Sequence, residues 1–325
     1  MSRIPHCIDT VFAALAAAVL AAAVFAATPS LAQEKVKIGL AVPNYGPLAA
    51  VYVAQELGYY KEAGVQVEIT AYRGGAAANQ ALAAGEADLI DFFPPGVALA
   101  VKKGVKEKIV GAGSVAADGW HLVVLKDSPI QSLKDLAGKK VGVTAKASTT
   151  DFFSLWAAKK AGGEIHTVPV GAAGLIPALK GRQVDAISAH SPLPLRLFAN
   201  GEGRSLVDYG KDLGPSLPDV WVASQAIIDR RPKVLENTLK AIYRATRYLQ
   251  QNPKYALPYL KKFTNEADDK VVQLEYEIAI MGRATQALIK PEWLKASMAL
   301  AQAAGLDLAK PEEIFTDKFY HVKAD

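Results

Sequence analysis

An α/β architecture of two similar lobes follows from three features of this 325-residue chain. Short apolar runs rich in β-branched residues alternate with amphipathic stretches of helical length, the pattern of parallel strands joined by helices. The segment Thr70 to Pro95 recurs as Thr167 to Pro192 at an offset of 97 residues, with eight identities in 26 positions. A repeat of that length exceeds any solenoid unit and implies two like half-molecules. Beyond Pro232 the chain is almost wholly helical, and a helical tail without a sheet of its own must pack on an existing lobe. A path that starts in lobe one, crosses over and returns gives lobe one as 33–120 plus 222–325 and lobe two as 121–221.

Residues 1–32 read as an export signal: Arg3 precedes the apolar run Val11 to Ala27, which leads into the small-residue pattern Ser30-Leu31-Ala32. Cleavage is expected near Ala32-Gln33. The apolar run has 17 residues, fewer than the roughly 20 of a membrane span. The single cysteine, Cys7, would leave with the signal, removing disulfide and thiol chemistry and any lipid tether at the cleavage point. A soluble periplasmic protein is the expectation.

After the signal, strands are predicted at Val36 to Val42, Val65 to Thr70, Ala87 to Asp91 and Lys108 to Gly111. Helices are predicted at Leu48 to Leu57, Ala76 to Ala84 and Gly96 to Lys103 between them. A second series starts at Lys140, with strands Val141 to Thr144, Glu164 to Pro169 and Val184 to Ala189. Its helices are Thr149 to Ala161 and Gly174 to Lys180. Two further extended runs, His121 to Leu125 and Val220 to Ala223, flank the second series as crossovers. The tail divides into helices Val234 to Gln251, Tyr255 to Phe263 and Asp268 to Leu288.

The formal net charge of +5 is unchanged by loss of the signal, because Arg3 and Asp9 cancel. The basic pairs Lys102-Lys103, Lys139-Lys140 and Arg230-Arg231 are scattered, which argues against nucleic acid as a partner. There is no phosphate-cradling loop, no Gly-x-Ser-x-Gly elbow and no Ser-x-x-Lys pair. The five histidines show no metal-ligand spacing. No catalytic activity, metal or cofactor is expected.

Several segments resemble solute-binding proteins of ATP-driven (ABC) importers. Leu133-Lys134-Asp135-Leu136-Ala137-Gly138-Lys139-Lys140-Val141-Gly142-Val143, after Asp127-Ser128-Pro129-Ile130, is similar to the inter-lobe region of those proteins. Pro47, Ala50, Ala54, Gly58-Tyr59-Tyr60, Gly64-Val65-Gln66-Val67, Gly85-Glu86-Ala87-Asp88 and Asn252-Pro253 resemble the nitrate, sulfonate, taurine and pyrimidine-precursor branch. The resemblance implies a two-lobed periplasmic binding protein fold of type II with two crossover strands as its hinge. It also implies a monomer that passes a small-molecule ligand to a membrane permease. Rival readings are an enzyme of the same fold, such as a pyrimidine-precursor synthase or lyase, and a ligand sensor for a membrane receptor.

Domain interfaces and the carboxyl ends of parallel strands favour ligands, so candidates sit just after strands. In lobe one these are Asn44 and Tyr45, then Arg73 with Gly74 and Gly75 opening a helix, then Phe92 or Phe93 as an aromatic wall. In lobe two, Ser148, Thr149 and Thr150 offer hydroxyls and backbone N–H groups at a helix start, and His190 follows the third strand. Trp120, His121 and Trp221 lie at the crossovers, of which His121 and Trp221 join the candidate set. Arg73, Ser148, Thr149, Phe92 and Phe93 suggest a small organic anion, a sulfonate or aromatic carboxylate; a neutral pyrimidine is the alternative.

Overall fold

A computed structural model describes residues 33–302 and 305–325; the expected export signal lies outside the described residues. Ten strands run through the chain: β1 (Glu34–Leu40), β2 (Val65–Ala71), β3 (Leu89–Phe92), β4 (Glu107–Ser114), β5 (Trp120–Leu125), β6 (Lys140–Val143), β7 (His166–Pro169), β8 (Ala186–His190), β9 (Gly203–Asp208) and β10 (Asp219–Ser224). They form two five-stranded sheets, ordered β2-β1-β3-β10-β4 and β7-β6-β8-β5-β9. In each sheet the first three strands are parallel, as expected from strands linked by helices. β10 and β5 are antiparallel to their neighbours, because each has arrived from the other sheet. The architecture is therefore the mixed α/β, twice-crossed one expected.

Sheet membership places the crossings at 115–119 and 209–218, so Trp120 begins β5 and Trp221 sits inside β10. β9 was not foreseen. Its sequence, Gly-Arg-Ser-Leu-Val-Asp, is short of apolar residues, and it becomes a strand by pairing with β5.

The repeat holds down to single hydrogen bonds. Asp88 accepts from the Lys37 backbone N–H at 2.9 Å, and Asp185 accepts from Lys140 N–H at 2.8 Å. Asp88 thereby ties the start of β3 to β1, and Asp185 the start of β8 to β6. A Cβ on Gly39 would stand 3.0 Å from Ile90 Cγ2, and one on Gly142 would stand 3.1 Å from Ile187 Cγ2. Both copies use a glycine where strand and neighbouring isoleucine meet.

The helices that matter for the site are α1 (Ala49–Glu56), α2 (Gly75–Ala83), α3 (Pro94–Lys102), α4 (Thr149–Ala161), α5 (Leu175–Lys180) and α6 (Leu193–Ala199). In the tail, α7 (Pro232–Gln251) buries Leu235, Leu239, Ile242, Thr246 and Leu249 along one stripe, and packs on α1 and the first sheet. It is followed by α8 (Pro253–Phe263), α9 (Asp269–Glu275) and α10 (Pro291–Gln302). The helix expected to run from Asp268 to Leu288 stops early. After α9 comes one π turn, Tyr276–Ile280, and then an extended segment. That segment lies along β4, with Ala284 N–H donating to Gly113 O at 2.8 Å and Arg283 bridged to Ser114. Tertiary pairing overrides the local helical pattern there. No helix among the described residues is long and apolar enough to cross a membrane.

Candidate ligand-binding site

The carboxyl ends of β1 and β3 face those of β6 and β8 across a cavity of ≈ 30 Å³. Because β5 and β10 run antiparallel, their first residues, Trp120 and Asp219, arrive at this same edge, opposite His190 and beside Phe92. The cavity has room for about two water-sized groups, so any larger ligand requires the halves to part.

Most predicted residues meet here. Tyr45, Gly75, Phe92, Ser148, Thr149, Thr150 and His190 all line the cavity. The Tyr45 ring lies 4.4 Å from His190 and 6.0 Å from Trp120, so aromatic groups from both sheets form one wall. The Phe92 ring is wedged between α2 and α3: a Cβ on Gly75 would come within 2.6 Å of it, and one on Gly96 would overlap it. The two glycines make the slot in which Phe92 sits.

Gly74 has a different role from the one expected. It abuts Thr144, Ala145 and Ser148 of the second half, and Ser148 Oγ accepts from Ala76 N–H at 3.2 Å. The N-terminus of α2 is thus engaged by a hydroxyl from the opposite side. Thr150 Oγ1 accepts from Thr144 N–H at 2.9 Å, fixing the loop that carries these hydroxyls.

Four candidates lie elsewhere, and Phe93 is reassigned. Arg73 is exposed and is not among the residues that line the cavity. Asn44 is exposed in a left-handed turn conformation, φ 57°, which asparagine tolerates well. His121 neighbours Trp120 in β5 and so points to the other face of the sheet. There it packs on Phe198, with Nδ1 2.9 Å from Ser205 Oγ. Trp221 is buried within β10 at 1 % exposure, beneath Arg283. Phe93 packs on Phe152 and Phe153 of α4 and is core.

Sequence reasoning missed the charged part of the site. Asp91 and Asp219 line the cavity. Asp219 is paired with Arg283 in a salt bridge whose side chains are 6 % and 3 % exposed, and Arg283 also donates to Ser114 Oγ at 3.1 Å. A Cβ on Gly113 would overlap Asp219 Oδ1, so this glycine makes room for the carboxylate. Asp91 Oδ1 accepts from Ala41 N–H at 2.7 Å. Burial, reinforced by Asp219, pushes the Asp91 carboxyl up to about 7. A lone acid in the apolar run Leu89-Ile90-Asp91-Phe92 was a legible signal for Asp91. Arg283 had none, since it lies in a segment that reads as helix.

His190 is held neutral: burial lowers its imidazole to about 4. Its Nδ1 lies 2.9 Å from Ser191 O, an oxygen that can only accept, so Nδ1 carries the proton and Nε2 is a bare acceptor. Nε2 and Asp219 Oδ2 are both buried without a hydrogen-bond partner among the described residues.

Known proteins share the family and the fold of this chain. A family model described as NMT1/THI5 like matches residues 47–256. A protein with a binding-protein name in Brucella abortus (strain 2308) is 25% identical over 233 residues, 70% of this chain and 71% of its own length. A protein with a thiamine-biosynthesis name in Haemophilus influenzae is 29% identical over 260 residues, 77% of this chain and 80% of its own. The solved structure of the alkanesulfonate-binding protein SsuA from Xanthomonas axonopodis pv. citri superposes with a TM-score of 0.72 at 17% identity, covering 88% of this chain and 96% of that one. The likeness to SsuA is one of fold, while the family match spans both sheets: this chain belongs to the NMT1/THI5-like family and has the periplasmic binding protein fold.

Proposed function

We propose that this chain is an exported solute-binding protein that takes one small molecule between its two halves and hands it to the membrane permease of an ABC importer. The family, the fold and a cavity between two copies of one scaffold support this reading. Residues 1–32 act as the export signal and the periplasm is the compartment. One lobe is the first sheet with the helical tail, and the other is the second sheet with its helices. The chain acts as a monomer and as a binder rather than an enzyme; chemical conversion of a recovered ligand would overturn the latter.

The ligand chemistry rests on one observation, the two unpartnered buried acceptors His190 Nε2 and Asp219 Oδ2 on opposite sides of the cavity. A buried acceptor left unpaired costs about 1–3 kcal/mol, so the preferred ligand brings a donor to each. Tyr45, Phe92, Trp120 and His190 add aromatic walls suited to a flat ring. A neutral pyrimidine-type ring with amino groups meets both demands. A sulfonate or carboxylate would bring only more acceptors, and the guanidinium of Arg283, bridged to Asp219 through Nη1 and with Nε unpartnered among the described residues, does not line the cavity.

A thermal-shift comparison of 4-aminopyrimidine, benzoate and an alkanesulfonate tests the assignment. At a concentration of 100 Kd, a ligand stabilises the folded chain by about 2.7 kcal/mol. The aminopyrimidine is expected to raise the midpoint in the wild type and not in His190→Leu. A rise with the two anions alone would sink the donor reading.

A further inference from the structure

Glu275, the last residue of α9, is 1 % exposed, and neither carboxylate oxygen has a hydrogen-bond partner among the described residues. It sits at a junction of segments that follow strands of both sheets. On one side is the turn after β1, where a Cβ on Gly46 would overlap Glu275 Oε1. On the other are Ser191, just past β8, and α6, which packs on α9. The titratable and charged groups facing it are few. Tyr45 comes from the first side and Glu266 from the loop after α8, the latter already bound by Arg196 of α6 at 2.7 Å. His190, beside Ser191, is neutral. From α8, Lys261 is engaged by Asp269 at the far end of α9. None of these cations pairs with Glu275.

An ionised carboxylate buried without a partner is among the most unfavourable arrangements a protein can hold, and the group takes a proton instead. Parting the halves withdraws the Gly46 wall from the Ser191 wall and lets water reach the carboxylate. We infer that Glu275 is a proton-linked latch: it enters the closed junction only as the neutral acid, and its ionisation favours separation of the halves. Burial pushes this carboxyl up to about 7; the nearby Ser191 hydroxyl, which lies outside hydrogen-bonding geometry in the closed junction but favours the charged form, opposes the shift, and Glu266 reinforces it. The sign follows directly: closure is favoured below that value and weakens as pH rises through it.

The latch rests on the two-lobe reading above and is independent of ligand chemistry. Small-angle scattering of the mature chain alone, from pH 5.5 to 8.5, tests it. The wild type is expected to expand through a transition near pH 7. Glu275→Gln should stay compact throughout, and Asp91→Asn and Glu107→Gln, which remove the other two carboxyls raised to about 7, should each keep the transition. Gly46→Ala, which displaces the carboxyl, should move the transition to lower pH and serves if Glu275→Gln does not fold. Expansion that Glu275→Gln leaves unchanged overturns the latch while the two-lobe reading stands. Scattering that is flat in the wild type, while Glu275→Gln gains thermal stability above pH 7, overturns it too. In that case the carboxyl is buried and nothing opens with it, which counts against the two lobes as moving parts.

Discussion

Arg283 shows how one side chain can organise a site from a distance in sequence. It satisfies Asp219 on one side of that carboxylate and leaves the other oxygen facing the cavity. Asp219→Asn would strand a buried guanidinium, and breaking such a pair by removing one partner costs about 3–5 kcal/mol. Urea unfolding of Asp219→Asn should therefore show a marked loss, whereas Arg73→Ala, at an exposed position, should change stability and ligand affinity by less than about 0.5 kcal/mol. Calorimetric titration checks the second: a large loss of affinity would return Arg73 to the site.

At the scale of elements, the site is a product of helix and strand ends and their glycines. Phe92 keeps its place because α2 and α3 each present a glycine to its ring. Gly96→Ala should overpack this slot and cost about 1–3 kcal/mol, and Phe92→Leu in the same chain should recover part of it. Additive losses in that double variant would show that the two residues do not share the slot. The Ser148 hydroxyl bonded to Ala76 N–H joins the two halves at the mouth of α2. Ser148→Ala should weaken closure by about 0.5–1.5 kcal/mol, read as a larger radius of gyration at a fixed pH below 7.

For the whole molecule, buried carboxyls and a buried imidazole pull stability in opposite directions. Asp91, Glu107 and Glu275, raised to about 7, contribute fully below their unfolded values of roughly 4 and lose that contribution as pH rises through 7. His190, lowered to about 4, contributes fully above roughly 6.5 and loses it as pH falls through 4. Three carboxyls outweigh one imidazole, so the melting midpoint is expected to fall between pH 5 and 8. In the double variant Asp91→Asn, Glu275→Gln the fall should be much smaller. Differential scanning calorimetry in a pH series decides it, and equal slopes in both proteins would count against these two carboxyls as its source.

The sequence alone determined most of the scaffold, with β9 and the end of the tail helix at Glu275 left to tertiary pairing. Alternating strands and helices set the class, and the repeat aligned Asp88 with Asp185, which make the same backbone bond in the two sheets. Half of the cavity lining was among the candidates, since Tyr45, Gly75, Phe92, Ser148, Thr149, Thr150 and His190 lie at or just after strand ends and the parallel-sheet edge is a local consequence of strand order. Only the tertiary structure decided which way neighbours face. Trp120 and His121 are adjacent in sequence, yet the pleat sends them to opposite sides of the sheet. It alone brought Asp219, Arg283 and Glu275 into play, because the charges that meet them come from segments tens of residues away or from the opposite half. Pattern and period are properties of neighbours along the chain, whereas the burial and pairing that set a site's electrostatics are properties of neighbours in space.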